Sequence, residues 1–184
     1  MSEIIPAQHH RHFLFLEGPL EACLQHFFGL SQNLSNQVLT ASDSQIFATA
    51  KRQATQQVQN IKYLDSSKLK QQLGQNNEAV FFDIEEGISA NAISLIAGTI
   101  KGGGLFVLSC RNLKSWLKQT DQEQARFLPW PLTQQDVQPH FKQYFLKKLQ
   151  ASHCQFLQLT SQHNAAKALA TIRKEAVNIE ANPE

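Results

Sequence analysis

The sequence predicts a three-layer α/β fold of the Rossmann or RecA-like type, with a mostly parallel sheet of about five or six strands and helices on both faces. Short apolar runs alternate with helical segments along almost the whole chain, as in successive β-α-β units. The runs 79–83 and 105–108 are almost entirely apolar, which is typical of strands covered by helices on both sides. A hydrophobic fraction of 42% is sufficient for such a core.

Six strands are predicted, each from a short run rich in apolar or β-branched residues. The first run ends at Glu17-Gly18-Pro19, and the last is expected at an edge of the sheet. In chain order the predicted strands are 13–16, 38–41, 61–64, 79–83, 105–108 and 154–159.

Helices are predicted between the strands from apolar residues at helical spacing and from residues that cap helix ends. Pro19 suits the first turn of a helix whose apolar residues recur from Leu20 to Phe28. Pro139 opens another, and its apolar face is predicted to hold Phe141, Tyr144, Phe145 and Leu149. The remaining predicted helices are 45–57, 65–73, 89–101, 112–118 and 165–177. Residues 127–132 are predicted to form a loop, residues 1–177 a single domain, and 178–184 a tail or a linker to a further module.

The composition limits the class of protein. A formal net charge of +2 does not give the whole molecule a strong positive field that would attract nucleic acid, although it allows a local basic patch. The three cysteines are odd in number and widely spaced, which suits a reducing cytosol rather than a disulfide framework. The N-terminal apolar run is too short for a signal peptide, and Lys101 and glycines interrupt the longest apolar stretch, 92–110. We therefore expect a cytoplasmic protein with no membrane partner.

The loop after the first strand is where a fold of this type would bind phosphate. Here it reads Glu17-Gly18-Pro19-Leu20, with one glycine, no lysine, an acid and a proline, and GxxxxGK[ST] occurs nowhere in the chain. Gly102-Gly103-Gly104 precede a strand instead of following one. They are interpreted as a helix-to-strand corner in which glycine adopts a left-handed conformation and allows close approach of the chain. A phosphate loop at these glycines is the alternative.

The strand 79–83 ends in Asp83 and is followed by Glu85 and Glu86, which resembles a Walker B element. Without a P-loop lysine no phosphate brings Mg²⁺ to this acid, so a vestigial or helix-capping role is favoured. Cys110 lies beside Arg111, but an inert buried thiol is the preferred interpretation. Cys23 and His26 have C-x-x-H spacing without a second close pair, so no zinc site is predicted.

Basic residues gather in two places that are candidates for RNA contact. They decorate the segment after the fifth predicted strand and the helix that Pro139 opens, where a solvated helix face is the alternative. Trp116, Phe127 and Trp130 can stack on bases, although such residues more often pack under loops. The candidate RNA-contact residues are Lys114, Lys118, Lys142, Lys147 and Lys148.

Residues 78–110, EAVFFDIEEGISANAISLIAGTIKGGGLFVLSC, carry several motifs in order. An apolar strand ends in Asp83, Gly87 follows, a helix runs into the lysine- and glycine-rich segment 101–104, and another apolar strand precedes the helix of Trp116. With the helix start Pro139-His140-Phe141, the block 78–153 resembles the N-terminal domain of the tRNA(Met) cytidine acetyltransferases, which form N4-acetylcytidine in RNA. The first 77 residues fit this domain in position and pattern.

The resemblance implies an accessory domain that does not catalyse alone. In the family it precedes a helicase-like module that binds ATP and an acetyltransferase module that binds acetyl-CoA, so no cofactor, metal or catalytic residue is assigned to this chain. The expected partners are those modules and tRNA, and the chain is either an excised domain or a free-standing relative. A stand-alone nucleotide or cofactor binder and a pure protein-interaction domain are the alternatives. The candidate module-contact residues are Asp83, Glu85, Glu86, Arg111 and Asn112.

Overall fold

The computed structural model describes residues 10–54, 61–152 and 154–159, which form a six-stranded sheet. The strands are β1 (His12–Glu17), β2 (Gln37–Ala41), β3 (Ile61–Asp65), β4 (Asn77–Asp83), β5 (Ile100–Cys110) and β6 (Gln155–Gln158). Their order in the sheet is β3-β2-β4-β5-β1-β6, and every neighbouring pair is parallel. The six strands and the α/β fold class that the sequence predicts are confirmed, and β6 lies at an edge as expected.

Helices connect the strands, and most begin at a polar residue that the sequence places directly after a strand or loop. Asp43 accepts a hydrogen bond from the Gln45 amide at 2.8 Å, and Ser89 accepts one from the Ala92 amide at 3.3 Å. The α-helices are α1 (Leu20–Ser31), α2 (Ser44–Gln53), α3 (Ala90–Gly98), α4 (Leu113–Trp116), α5 (Gln122–Ala125) and α6 (His140–Gln150). Two 3-10 helices cover Ser66–Gln72 and Gln134–Asp136. The predicted helix 165–177 and tail 178–184 lie outside the described residues.

Two hydrophobic clusters cover opposite faces of the sheet, because side chains alternate along each strand. Val80 and Phe82 of β4 pack in one cluster, which also holds Trp116 of α4 and Leu149 of α6. Phe81, between them, packs in the other cluster with residues of α1 and α2. β4 is therefore buried on both faces, as its central apolar run 79–82 indicates.

The predicted boundary between α3 and β5 is wrong by several residues. The helix ends at Gly98 rather than Lys101, and the strand begins at Ile100, so the three glycines lie inside β5 and not at a helix-to-strand corner. Gly103 has φ +77°, and its amide donates to the His10 carbonyl at 2.9 Å. A β-carbon on Gly104 would lie 2.8 Å from the Glu78 carbonyl oxygen. Close approach to β4 thus requires glycine here, at the end of the sheet opposite the carboxyl ends of the strands.

Three other local predictions are adjusted. The predicted helix 65–73 is a 3-10 helix over Ser66–Gln72, and α5 is a short helix that the sequence analysis did not identify. Tyr144, predicted on the apolar face of α6, is 58% exposed. None of the helices in the described part of the chain is long and apolar enough to span a bilayer.

Candidate functional site

The carboxyl ends of β4 and β5 bring three of the five candidate module-contact residues, Asp83, Glu85 and Arg111, into one hydrogen-bonded cluster. Asp83 is buried, forms an ion pair with Arg111, and accepts hydrogen bonds from Ser109 Oγ at 2.9 Å and from the Glu85 amide at 3.2 Å. Parallel pairing in which Asp83 faces Ser109 explains the arrangement, because it places the end of each strand beside the other. The carboxylate is therefore engaged on all sides by groups of its own chain.

The side chains of Glu85, Glu17 and Asn112 accept hydrogen bonds from backbone amides in and after the turn that follows β5. The Arg111 amide donates to Glu85 Oε2 at 2.7 Å, and the Leu113 amide donates to Glu17 Oε1 at 3.0 Å. Asn112 Oδ1 accepts from the Ser115 amide at 2.9 Å and so caps α4. Glu86 is exposed, and the Arg111 side chain is one-third exposed. Glu86, Asn112 and the outer part of the Arg111 side chain are therefore the solvent-accessible groups among the candidate module-contact residues.

Burial governs the protonation of this edge. It raises the pKa of Asp83, while Arg111 and the surrounding hydrogen-bond donors act in the opposite direction. Burial also raises the pKa of the Cys23 thiol to about 12 and raises that of Cys110. Both thiols are free and buried, as the sequence predicts for Cys110, and the raised pKa favours the protonated form at neutral pH.

The loop after β1, where a phosphate would be expected, is closed by the chain itself. The Gly18 amide donates to the Cys110 carbonyl at 3.0 Å, and the Leu159 amide donates to the Glu17 carbonyl at 2.7 Å. A β-carbon on Gly18 would lie only 2.5 Å from the Leu159 carbonyl oxygen. Gly18 therefore allows β1 and the residue after β6 to meet, and its amide is not directed at a ligand.

A hollow of about 230 Å³ lies at the same edge of the sheet, beside the first turn of α3. Ser42, Ser66, Ser67 and Ser89 contribute to its wall, together with Arg126. Its volume falls below the range of about 300 to 1,000 Å³ that is usual for small-molecule sites. Among the described residues, no three His, Cys, Asp or Glu side chains are grouped so that they could hold a metal ion.

Lys142 is wrongly included among the candidate RNA contacts. Its side chain is fully buried, and Nζ donates to the carbonyls of Trp116 at 3.0 Å and Gln119 at 3.2 Å. The ammonium lies 4.9 Å from the centre of the Trp116 ring, and burial lowers its pKa. Lys142 shares a stripe with the buried Leu146 and Leu149, at a spacing of four and three residues, and that pattern could have revealed its position.

The other four candidate lysines are exposed. Lys114 and Lys118 lie in and just after α4, and Lys147 and Lys148 lie in the last turn of α6. Lys142 joins these two helices because it belongs to α6 and binds the carbonyl end of α4. The structure thus places the four ammonium groups on two connected helices, all in contact with solvent.

The three aromatic residues considered for base stacking have different environments. Trp116 is fully buried, and its indole N–H donates to the Ile84 carbonyl at 2.6 Å. Phe127 and Trp130 are 65% and 93% exposed. The expectation that such residues pack under loops is confirmed for Trp116 and wrong for the other two.

Asp121 is a buried acid that the sequence analysis missed. It accepts hydrogen bonds from the amides of Ile88 at 3.3 Å and Glu123 at 3.0 Å, and so joins α5 to the loop after β4. A β-carbon on Gly87 would lie 2.6 Å from Asp121 Oδ1, which explains the glycine there. An Asp directly before a short polar helix is an N-cap pattern and was the available signal.

Sequence comparison gives the family context of this site. The profile of the family described as tRNA(Met) cytidine acetyltransferase TmcA, N-terminal, matches residues 2–158. The tRNA(Met) cytidine acetyltransferase TmcA of Nitrosococcus halophilus is 33% identical over 135 residues, or 73% of this chain and 17% of the relative. The protein of the same name from Haloarcula marismortui is 33% identical over 87 residues, or 47% of this chain and 11% of the relative.

The chain therefore spans less than a fifth of the length of these curated relatives, and the match covers their N-terminal domain. The matched range includes every described strand and helix, and with them the ion-paired carboxyl edge and the lysines of α4 and α6. This chain belongs to the family of N-terminal domains of the tRNA(Met) cytidine acetyltransferases, TmcA.

Proposed function

We propose that this chain is an accessory domain of a cytoplasmic tRNA(Met) cytidine acetyltransferase and does not catalyse by itself. It packs against the helicase-like module and helps to hold tRNA through exposed lysines. ATP and acetyl-CoA bind to the other modules of the enzyme and not to this domain. The free thiols of Cys23, Cys110 and Cys154 suit the reducing cytoplasm in which this domain acts.

The observation that carries the proposal is the internal pairing of the carboxyl edge. In open α/β sheets this edge supplies the ligand-binding groups. Here Asp83 is paired with Arg111, and the amide of Gly18 with the Cys110 carbonyl. A nucleotide would have to displace these contacts, whereas a protein surface can meet Glu86, Asn112 and the exposed part of Arg111 without disturbing them.

Calorimetry with the isolated 184-residue chain tests the absence of cofactor binding. We expect no saturable heat with Mg-ATP or acetyl-CoA up to 1 mM ligand, which corresponds to a binding free energy weaker than about −4.1 kcal/mol. The stand-alone nucleotide binder is the competing function. Micromolar binding of either compound would support that competitor and contradict an accessory role.

The tRNA contact is supported by four exposed lysines on two connected helices. Reversal of charge in the double variant K147E/K148E is expected to weaken binding of tRNA(Met). It should also reduce the slope of log K against log salt by about 1.4 to 1.8, if each lysine contacts one phosphate. The matched control is K62E/K68E, because Lys62 and Lys68 are also exposed but lie in β3 and the following 3-10 helix.

Three outcomes of this titration are distinct. Weaker binding by the α6 variant alone supports the proposed contact. Equal loss in both variants indicates general charge attraction and contradicts the assignment to α6. Salt-independent or undetectable binding by the wild-type chain favours a domain that contacts only protein.

A further inference from the structure

The loop between α5 and α6 exposes apolar side chains in a short stretch. Phe127 is 65% exposed, Trp130 93% and Leu132 48%. The other large exposed apolar residues are spread over the chain: Leu73 follows the first 3-10 helix, Tyr144 lies in α6 and Phe156 in β6. Concentrated exposure of this kind marks an interaction surface more often than it marks ordinary protein surface. We call residues 127–132 the aromatic loop.

Hydrogen bonds hold the aromatic loop in one conformation. The Phe127 amide donates to the Gln124 carbonyl at 3.0 Å, and the Leu132 amide donates to the Pro129 carbonyl at 3.0 Å. After the loop, Thr133 and Asp136 form a capping box. The rings are therefore presented by an ordered turn, so little conformational entropy is lost when a partner binds them.

The charges around the aromatic loop indicate the chemistry of the partner. The charged side chains that reach the surface between residues 119 and 139 are Glu123, Arg126 and Asp136, because Asp121 is buried. Arg126 is the one cation of this segment, and it lies 3.7 Å from a Glu123 carboxylate oxygen and 4.8 Å from the Phe127 ring centre. RNA-binding aromatic surfaces normally combine stacking rings with a positively charged groove. This segment has the rings but no cluster of basic side chains, which favours an apolar protein surface.

We propose that the aromatic loop docks into an apolar pocket on another module of the same acetyltransferase polypeptide, with Trp130 as the central anchor. The chain matches only 17% of the Nitrosococcus halophilus relative, so most of such a polypeptide lies outside this domain and is available to cover the loop. Tryptophan is the residue most enriched among interface hot spots, and its indole N–H can pair with a carbonyl in the pocket. This inference rests on the proposed packing of the domain and adds a contact surface separate from the carboxyl edge.

Hydrogen exchange measured by mass spectrometry tests the docking. The 184-residue chain is compared with a full-length Nitrosococcus halophilus enzyme in which this chain replaces the matched segment. In the full-length protein, exchange in peptides covering residues 124–133 is expected to slow at least about tenfold. The double variant F127A/W130A should return these peptides to the rate of the isolated chain. The matched control L73A removes a side chain that is 62% exposed elsewhere and should leave the protection unchanged.

Folding is checked separately in each protein. Peptides from β4 must exchange equally slowly in the isolated chain, the full-length protein and both variants. As a second measurement, the isolated chain is labelled with 5-fluorotryptophan and titrated with the remaining part of the relative. The fluorine resonance of exposed Trp130 is expected to shift, while that of buried Trp116 stays in place.

The outcomes separate this inference from the proposed function. Protection of residues 85–86 and 111–112 without protection of the aromatic loop overturns the inference and leaves the packing of the domain standing. No protection of either surface, together with no fluorine shift, overturns both. Protection of the loop in the isolated chain that grows with concentration would assign it to a second copy. Protection that appears only with tRNA would assign it to RNA, and either result overturns the proposed partner.

Discussion

Replacing Lys142 by methionine tests whether this lysine is a structural part of the core. Methionine retains much of the buried aliphatic volume and removes the ammonium group, so the carbonyls of Trp116 and Gln119 lose a charged donor. Each hydrogen bond to a charged group contributes about 1.5 to 3 kcal/mol. Relief of the desolvation of a buried charge offsets part of the loss, so we expect K142M to lower the free energy of unfolding by about 2 to 3 kcal/mol.

Urea denaturation followed by circular dichroism and by the fluorescence of buried Trp116 measures this change. In a chain of this size it corresponds to a melting temperature lower by roughly 4 to 12 °C. The matched control is K147M in the same helix, where an exposed lysine should change stability by less than about 0.5 kcal/mol. Equal stabilities of the two variants would refute the structural role. A second result would also refute it. If K142M is folded but binds tRNA as weakly as K147E/K148E is expected to, Lys142 contacts RNA instead of stabilising the core.

Three further changes test buried polar and glycine positions. His26 is 2% exposed and burial lowers its pKa, so the unfolded chain binds a proton more readily than the folded chain. The contribution of His26 to the free energy of unfolding should therefore be complete above about pH 6.5 and be lost as the pH falls below it. H26F should reduce the difference in the free energy of unfolding between pH 5.5 and 7.5, measured by urea titration. G18A should cost about 2 kcal/mol, because φ is +153° and the new methyl group meets the Leu159 carbonyl, whereas G98A, with open space and no positive φ, should be neutral or slightly stabilising by thermal melts. D83N removes the negative charge that faces the one-third-exposed Arg111, and because burial already disfavours the charged carboxylate, the loss should be about 1 to 2 kcal/mol in the same urea assay; an unchanged stability would contradict the pairing.

The sequence alone predicted strands and helix caps correctly where the local pattern of residues reflects their burial. The centre of β4 is apolar because helices cover both faces, and that condition is visible in four consecutive residues, 79–82. The N-cap of α2 was predictable because it is local: Ser42 and Asp43 directly precede the helix, and the cap bond from the Gln45 amide to Asp43 spans only two residues. The grouping of candidate residues at the carboxyl ends of the strands could be predicted from strand direction, because parallel strands end on the same side of a sheet.

The errors concern residues whose environment depends on distant parts of the chain. Gly103 and Gly104 lie in β5 where its register with β4 shifts, between the Ile100–Asn77 and Leu105–Ala79 pairs, and the Gly103 amide donates to the His10 carbonyl; neither feature is encoded in the local pattern. Lys142 is buried because the end of α4 supplies two carbonyls about 25 residues earlier in the chain. The exposed rings of the aromatic loop could not be distinguished from core aromatics, since composition alone does not say what covers a side chain.

In the candidate site, polar groups at the carboxyl ends of the strands form hydrogen bonds and an ion pair within the chain. Asp83 binds Arg111, Glu85 accepts from the amide of Arg111, and the amide of Gly18 donates to a carbonyl of β5, so each of these groups has a partner within the chain. Breaking one of these buried contacts leaves an unsatisfied polar group and costs about 1 to 3 kcal/mol, which a ligand would have to offset. A partner that binds only the exposed Glu86 and the outer part of Arg111 avoids this cost. In the proposed packing, Asp83 contributes by orienting Arg111, and D83N is expected to weaken binding of the domain to another module in a calorimetric titration although Asp83 itself is almost wholly buried.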